Sequence, residues 1–148
     1  MVMTVDTTAD AITVTIDGTE VTVPSGTTIL AAARSIGVRI PTLCDHPDLR
    51  PVGICRICVV EIEGVDCLQT ACTYPISRPI RITTTSSAIR TARRHILEML
   101  LATHYGDCNT CKRNHNCELQ SLAAEVIYRV KYRVMHVSDW VRLLVASA

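Results

Sequence analysis

Residues 12–23, ITVTIDGTEVTV, alternate apolar and polar side chains on both sides of one Asp-Gly dipeptide, Asp17-Gly18. A period of two puts every second side chain on one face of an extended chain. Asp-Gly suits a tight two-residue turn whose central residues need positive φ, so the stretch predicts a β-hairpin. Pro24-Ser25-Gly26-Thr27 follow with turn and cap chemistry, and Ile29 to Ile36 is an Ala-rich run that Gly37 can end, which predicts a short helix. Pro41, Pro47, Pro51 and Gly53 break residues 41–56, whereas 57–62 and 80–84 read as further strands. Residues 1–85 therefore read as a small α+β sheet domain.

From Ser86 the period changes. Ile89, Ala92, Ile96, Met99, Leu100 and Thr103 recur at helical spacing behind a Ser cap, so a helix is expected to about Thr103. A Cys-rich loop, His104 to Cys117, separates it from a second helical segment, Glu118 to about Val126. Charge supports the division: residues 1–85 hold six Lys+Arg against nine Asp+Glu, and residues 86–148 hold nine against five. Three segments result: 1–85, a helical 86–127, and a divergent tail, 128–148. In the tail Tyr128, Val130, Tyr132 and Val134 alternate with Arg129, Lys131 and Arg133, and the valines favour a strand over the three-four spacing also present. Its apolar face packs on the chain's own core or docks a partner.

The chain has 148 residues, 48% of them hydrophobic and 20% charged, enough for one domain or two very small ones and too apolar for wholesale disorder. The net charge of +1, without a long basic block, argues against nucleic acid. Met1 to Asp10 has neither the basic nor the apolar segment of a signal peptide, and no apolar run approaches the roughly 18 residues of a membrane span. The expectation is a cytoplasmic protein without membrane insertion. In a reducing compartment, its eight cysteines point to metal rather than disulfides.

Seven of the cysteines fall into two sets. Cys44, Cys55, Cys58 and Cys72 are spaced C-x10-C-x2-C-x13-C. Four thiolates suit a 2Fe-2S cluster, in which each iron completes its tetrahedron with two protein sulfurs. The spacing suggests that Cys55 and Cys58 grip one side while the loop from Cys44 wraps over it, with Gly53 allowing close backbone approach. The second set, His104, Cys108, Cys111 and Cys117, is spaced H-x3-C-x2-C-x5-C. Three thiolates and a neutral imidazole ligate an iron–sulfur cluster, but also zinc in a closed tetrahedral site.

Ile40-Pro41-Thr42-Leu43-Cys44, Gly53-Ile54-Cys55-Arg56-Ile57-Cys58-Val59-Val60-Glu61 and Thr70-Ala71-Cys72 resemble the ferredoxin-like 2Fe-2S domain of the large iron–sulfur subunit of respiratory complex I. The same domain occurs in iron-only hydrogenases and in NAD-linked hydrogenases and formate dehydrogenases. Leu101-Ala102-Thr103-His104, Asp107-Cys108-Asn109-Thr110-Cys111 and Asn116-Cys117-Glu118-Leu119-Gln120 resemble that family's next domain, which binds a 4Fe-4S cluster through one histidine and three cysteines. The resemblance covers roughly residues 12–128. It implies a β-grasp (ubiquitin-like) 2Fe-2S ferredoxin domain followed by a small helical 4Fe-4S domain.

The resemblance further implies a non-catalytic electron-transfer subunit of a multi-subunit NAD(P)H-linked oxidoreductase. Its implied partners are a flavin- and NAD(P)H-binding subunit, a thioredoxin-like 2Fe-2S subunit and a hydrogenase or formate dehydrogenase catalytic subunit, together a hetero-oligomer. No further cysteine motif follows Cys117, so no hydrogen or formate chemistry is assigned to this chain. Its six glycines, at 18, 26, 37, 53, 64 and 106, never form G-x-G, so it is not expected to bind NAD or flavin unaided. Two alternatives stand beside this reading: a zinc-stabilised interaction module, and the N-terminal fragment of a longer hydrogenase-like enzyme. Cys67 reads as a small residue in a strand before Cys72. His46, His95 and His136 read as surface or packing residues, His115 competes with His104 as a ligand, and Arg93-Arg94 as a solvated helix face.

Overall fold

The computed structural model describes residues 11–104 and 107–128. The chain divides into two compact units, 1–89 and 90–148.

The first unit is a five-stranded mixed sheet with one short helix. β1 (Ala11–Ile16) and β2 (Thr19–Pro24) form the expected hairpin, in register from Ala11 opposite Pro24 to Ile16 opposite Thr19. Asp17 and Gly18 have φ of 48° and 85°, so both central turn residues are left-handed and the turn twists with its strands. α1 (Ile29–Ser35) starts where the Thr28 hydroxyl accepts the Ala31 N–H at 3.2 Å. It ends before Gly37, whose φ is 74°.

β3 (Val59–Ile62), β4 (Gln69–Thr70) and β5 (Arg81–Thr83) complete the sheet in the order β2-β1-β5-β3-β4. β1 and β5 run parallel; β5 and β3, and β3 and β4, run antiparallel. Ile12, Val14 and Ile16 of β1, Val60 and Ile62 of β3 and Ile82 of β5 turn inward on Ile29, Leu30, Ala32 and Ala33 of α1. Two alanines side by side let the helix lie close to the sheet, and each fully buried isoleucine contributes about 1.5–3 kcal/mol.

The hairpin is tied to the segment that follows β5 by a polar joint. The Asp17 carboxylate accepts the Thr84 N–H at 2.8 Å and, through its other oxygen, the Thr84 hydroxyl. Thr84 is buried, and no buried side-chain nitrogen or oxygen among the described residues lacks a partner.

Several details differ from the sequence reading. The strand expected from residue 57 starts at Val59, because Ile57 and Cys58 belong to a turn, and β4 is too short to leave a periodic signature. Cys67 lies outside any strand, exposed in a bend, with the Gln69 amide 3.0 Å from its sulfur.

α2 (Ser87–Thr103) begins at the expected cap, the Ser86 hydroxyl accepting the Ile89 N–H at 3.1 Å and donating to Glu61 at 2.8 Å. In the second unit Leu97 and Leu122 are buried, and α3 (Glu118–Tyr128) runs slightly past the expected end. Arg94 pairs with Glu98 at 2.8 Å, but Arg93 is buried, against the expectation of a solvated pair. The tail reading, Tyr128 apart, lies outside the described residues, as does His136. No described helix is long and apolar enough to cross a membrane.

Candidate metal centres

Three elements of the first unit carry Cys44, Cys55, Cys58 and Cys72. Cys44 follows the segment leaving α1, whose Arg34 holds the neighbouring Asp45 at 2.7 Å. Cys55 and Cys58 flank a sharp reversal in which Arg56 takes a φ of 58°, left-handed for a non-glycine residue. Cys72 sits in the turn after β4, where the Thr73 and Tyr74 N–H groups both point at the Thr70 carbonyl. That turn is clamped from two sides: the Ala71 N–H donates to Cys58 O at 3.1 Å, and the Leu30 N–H donates to Ala71 O at 2.9 Å.

The four thiols meet in two pairs. Cys58 Sγ lies 3.4 Å from Cys72 Sγ, both residues 1% exposed. Cys44 and Cys55, half-buried, interact through their own side chains. The Cys72 thiol also feels the charges of Cys58, Cys44 and Cys55, so all four belong to one site. The grouping differs from the one that spacing suggested: Cys55 goes with Cys44, and Cys58 with Cys72. The left-handed Arg56 turns the chain between the x2 cysteines, so their thiols serve opposite halves of the site.

Backbone donors set the electrostatics. Burial pushes the Cys44 thiol up, but the N–H groups of Cys55, Ile54 and Cys44, with the Cys55 side chain, outweigh it and leave it below the ordinary 9.0. Burial raises Cys55 in spite of N–H groups from Ile57, Leu43 and Cys44. Burial, then the Cys58 thiol and the charges of the other three cysteines, push Cys72 up to about 12. Without metal, burial and the neighbouring thiols favour the protonated forms of Cys55 and Cys72; a cationic centre reverses that balance.

The residues fit a 2Fe-2S cluster. Two thiolates on one tetrahedral metal, each about 2.3 Å from it, sit roughly 3.7 Å apart, close to the Cys58–Cys72 separation. Two thiol pairs match two irons, and peptide N–H groups already face the sulfurs. Among the described residues no three His, Cys, Asp or Glu side chains are placed to hold a single ion, and a two-iron cluster asks for pairs rather than such a convergence.

Gly53 is also placed where a side chain would be crowded. Its φ is 64°, and a Cβ there would lie 3.1 Å from the Thr73 methyl. Thr73 in turn shares a 2.6 Å hydroxyl contact with Thr70. Thr70, Thr73, Arg34 and Asp45 thus hold the ligand loops together. The sequence marks Thr70 only as part of the stretch Thr70-Ala71-Cys72, and for the others only the adjacency of Thr73 and Asp45 to cysteines hints at the role.

The second set lies along the α2–α3 connection. His104 follows the last residue of α2, exposed, its N–H on Leu101 O at 3.2 Å. Cys108 and Cys111 bracket a turn closed by Cys111 N–H to Cys108 O at 3.2 Å, and Asp107 caps the same turn by accepting the Thr110 hydroxyl at 2.9 Å. Cys117 immediately precedes α3, its carbonyl taking the Ser121 N–H at 3.0 Å. His115 has a φ of 64°, with its N–H shared between Asn114 Oδ1 and Gln120 Oε1, each 3.1 Å away. Three cysteines and a histidine in one loop suit a 4Fe-4S cluster, whose four irons each take a separate ligand.

Residues 9–87 match the family described as a 2Fe-2S iron–sulfur cluster binding domain. The chain belongs to this family. Residues 93–130 match the NADH-ubiquinone oxidoreductase-G iron–sulfur binding region, so the 2Fe-2S domain is followed by a 4Fe-4S one. Relatives of this iron–sulfur family include the alpha subunit of the NADPH-Fe(3+) oxidoreductase of Geobacter sulfurreducens, 44% identical over 110 residues, 74% of this chain and 13% of the relative. Subunit HndD of the NADP-reducing hydrogenase of Solidesulfovibrio fructosivorans is 42% identical over 76% of this chain and 20% of its own. One subunit of the NADH-quinone oxidoreductase of Streptomyces coelicolor is 40% identical over 77% and 14%. The crystal structure of an NAD+-reducing [NiFe]-hydrogenase in the H2-reduced state superposes with a TM-score of 0.72 at 36% identity, over 78% of this chain and 48% of that one. The chain thus spans a fifth or less of these curated relatives.

Proposed function

We propose that the chain is an electron-transfer subunit of an NAD(P)H-linked oxidoreductase. In this reading Cys44, Cys55, Cys58 and Cys72 hold a 2Fe-2S cluster in a β-grasp domain, residues 1–85. His104, Cys108, Cys111 and Cys117 hold a 4Fe-4S cluster in a small helical domain, residues 86–127, and residues 128–148 dock a partner. The pairing of Cys44 with Cys55 and of Cys58 with Cys72 in one site carries the reading. The clusters supply one-electron redox chemistry; the chain supplies thiolates, aimed N–H groups and burial that set the potentials.

Electrons pass between a flavin-bearing NAD(P)H-oxidising subunit and a catalytic subunit of hydrogenase or formate dehydrogenase type, with a thioredoxin-like 2Fe-2S subunit in the same cytoplasmic hetero-oligomer. The names of the relatives, each an oxidoreductase or hydrogenase of NAD(H) or NADP(H), support that placement. The small share of each relative that the chain spans favours a second reading, in which the same relay is the iron–sulfur portion of a longer hydrogenase-like polypeptide. Intact mass of the native protein separates the two.

Low-temperature EPR with iron and sulfide analysis, on dithionite-reduced protein purified without oxygen, tests the relay. About six irons per chain and two distinct reduced signals are expected. Cys55→Ser alters the slower-relaxing signal and His104→Cys the faster one. Bound zinc with no iron and no signal overturns the proposal in favour of a zinc-stabilised module.

A further inference from the structure

We propose that the loop between Cys44 and Cys55 is a docking surface for a protein redox partner whose contact face is apolar and rimmed by carboxylates. The inference rests on the electron-transfer reading above and adds to it where, and to what kind of surface, electrons cross.

Four large hydrophobic residues stand exposed among the described residues, and three of them, Leu49 at 68%, Val52 at 58% and Ile54 at 78%, belong to this one loop. Single exposed apolar side chains need no explanation, but three within six residues form a patch of the kind that marks an interaction site. None of the three contributes to the hydrophobic core. The patch also lies on the half of the site that solvent reaches. Cys44 and Cys55 are half-buried, whereas Cys58 and Cys72 are sealed, so an electron leaves or enters most directly through the loop that carries Leu49, Val52 and Ile54.

Charge selects the partner. Arg50 and Arg56 are exposed beside the patch, while Asp45 is taken up by Arg34 at 2.7 Å, so that two guanidiniums face the one exposed carboxylate of the loop, Asp48, which lies 3.7 Å from His46. Residues 1–85 are otherwise acidic, and Glu63 and Asp66 follow β3 at the end away from Cys58. A domain that is negative overall but positive at its cluster edge steers an acidic surface onto that edge. A second copy of the chain presents the same arginines, and like charges facing each other disfavour self-pairing. An apolar centre within a charged rim suits the small, transient interfaces of redox partners.

The test uses the cluster-loaded full chain, reduced with dithionite and mixed in stopped flow with two acceptors of opposite charge, native cytochrome c (basic) and succinylated cytochrome c (acidic). The acidic acceptor should react about tenfold faster at low salt, the advantage fading above about 0.1 M as screening sets in. Arg50→Glu should reverse the preference. Leu49→Ser and Val52→Ser should slow the acidic acceptor severalfold, with the visible spectrum and the rate toward a small neutral quinone unchanged. Equal rates for the two acceptors, or variants without effect, overturn the docking surface. So does self-association, or binding to phosphatidylserine-containing vesicles, that Val52→Ser abolishes. Failure of the reduced protein to react with the quinone defeats the electron-transfer reading itself.

Discussion

Arg34 on α1 reaches 2.7 Å to the carboxylate of Asp45, the residue that follows Cys44. The Arg34 side chain is 56% exposed and that of Asp45 only 11%, so the carboxylate is the partner that depends on the contact. Exposed ion pairs are worth little, but removing the cation here strands a nearly buried acceptor in a loop without regular structure. Arg34→Met should therefore cost about 1–2 kcal/mol in urea unfolding of the metal-free protein. In the loaded protein it should release the 2Fe-2S cluster faster, seen as loss of visible absorbance under a chelator. Asp45→Asn, which keeps an acceptor oxygen, should show a smaller effect on both.

Gly53 and Thr73 form a second clamp on the same site. An alanine at 53 must hold a φ of 64° and press its Cβ 3.1 Å from the Thr73 methyl. The left-handed conformation alone costs a residue with a Cβ about 1–2 kcal/mol, and the crowding adds to it. Gly53→Ala should lower both stability and cluster retention. Thr73→Ser removes the offending methyl and keeps the hydroxyl, so the double variant should regain the crowding part but not the conformational part. Strictly additive urea midpoints would show that the two residues do not touch in solution.

Asp17 joins the hairpin to Thr84 across 67 residues of sequence, accepting both its N–H and its hydroxyl. It also holds the left-handed turn at φ 48°, a conformation that Asn tolerates and Ala does not. Asp17→Ala should cost about 2–3 kcal/mol, as two hydrogen bonds and a turn preference are lost together. Asp17→Asn should cost less, and Asp17→Gly should recover the turn without the bonds. Thermal unfolding of the three metal-free variants should rank them Asn, Gly, Ala.

The hairpin was legible because period-two alternation and an Asp-Gly turn are local signals, and α1 because an Ala-rich run lies between Pro24-Ser25-Gly26-Thr27 and Gly37, although the cap itself is Thr28, one residue on. The sheet order was not legible, since the pairing of β1 with β5 joins residues some 66 apart, Thr15 with Arg81, and leaves no trace in either segment. β4, two residues long, has no period to read. The sequence also named four cysteines for the first site without showing how they group. Nearness in sequence put Cys55 with Cys58, whereas a single left-handed residue, Arg56, sends their thiols to different partners. The clamps made by Arg34 and Thr73 escaped for the same reason: each depends on a contact between segments far apart in the chain or facing across a turn.

The cysteines of the first site should give the metal-free protein a pH dependence with a defined sign. Burial, the Cys58 thiol and the charges of its neighbours hold the Cys72 pKa at about 12 in the folded state, above the ordinary 9.0. Between those values the unfolded chain has given up a proton that the folded chain keeps, so stability falls as pH rises from 9 toward 12. Burial of Cys55 acts in the same direction, because its folded value is also raised. Cys44 acts oppositely: its backbone N–H donors outweigh burial and lower its value, so its contribution is present above 9 and is lost as pH falls through the lowered value. Urea midpoints of the metal-free chain should accordingly rise gently toward pH 9 and drop beyond it, and Cys72→Ala should flatten the drop. Limited alkylation at pH 8, read by peptide mass spectrometry, should label half-buried Cys44 and exposed Cys67 well before Cys58 and Cys72, each 1% exposed. Equal labelling of all four site cysteines would mean that the site opens without its cluster.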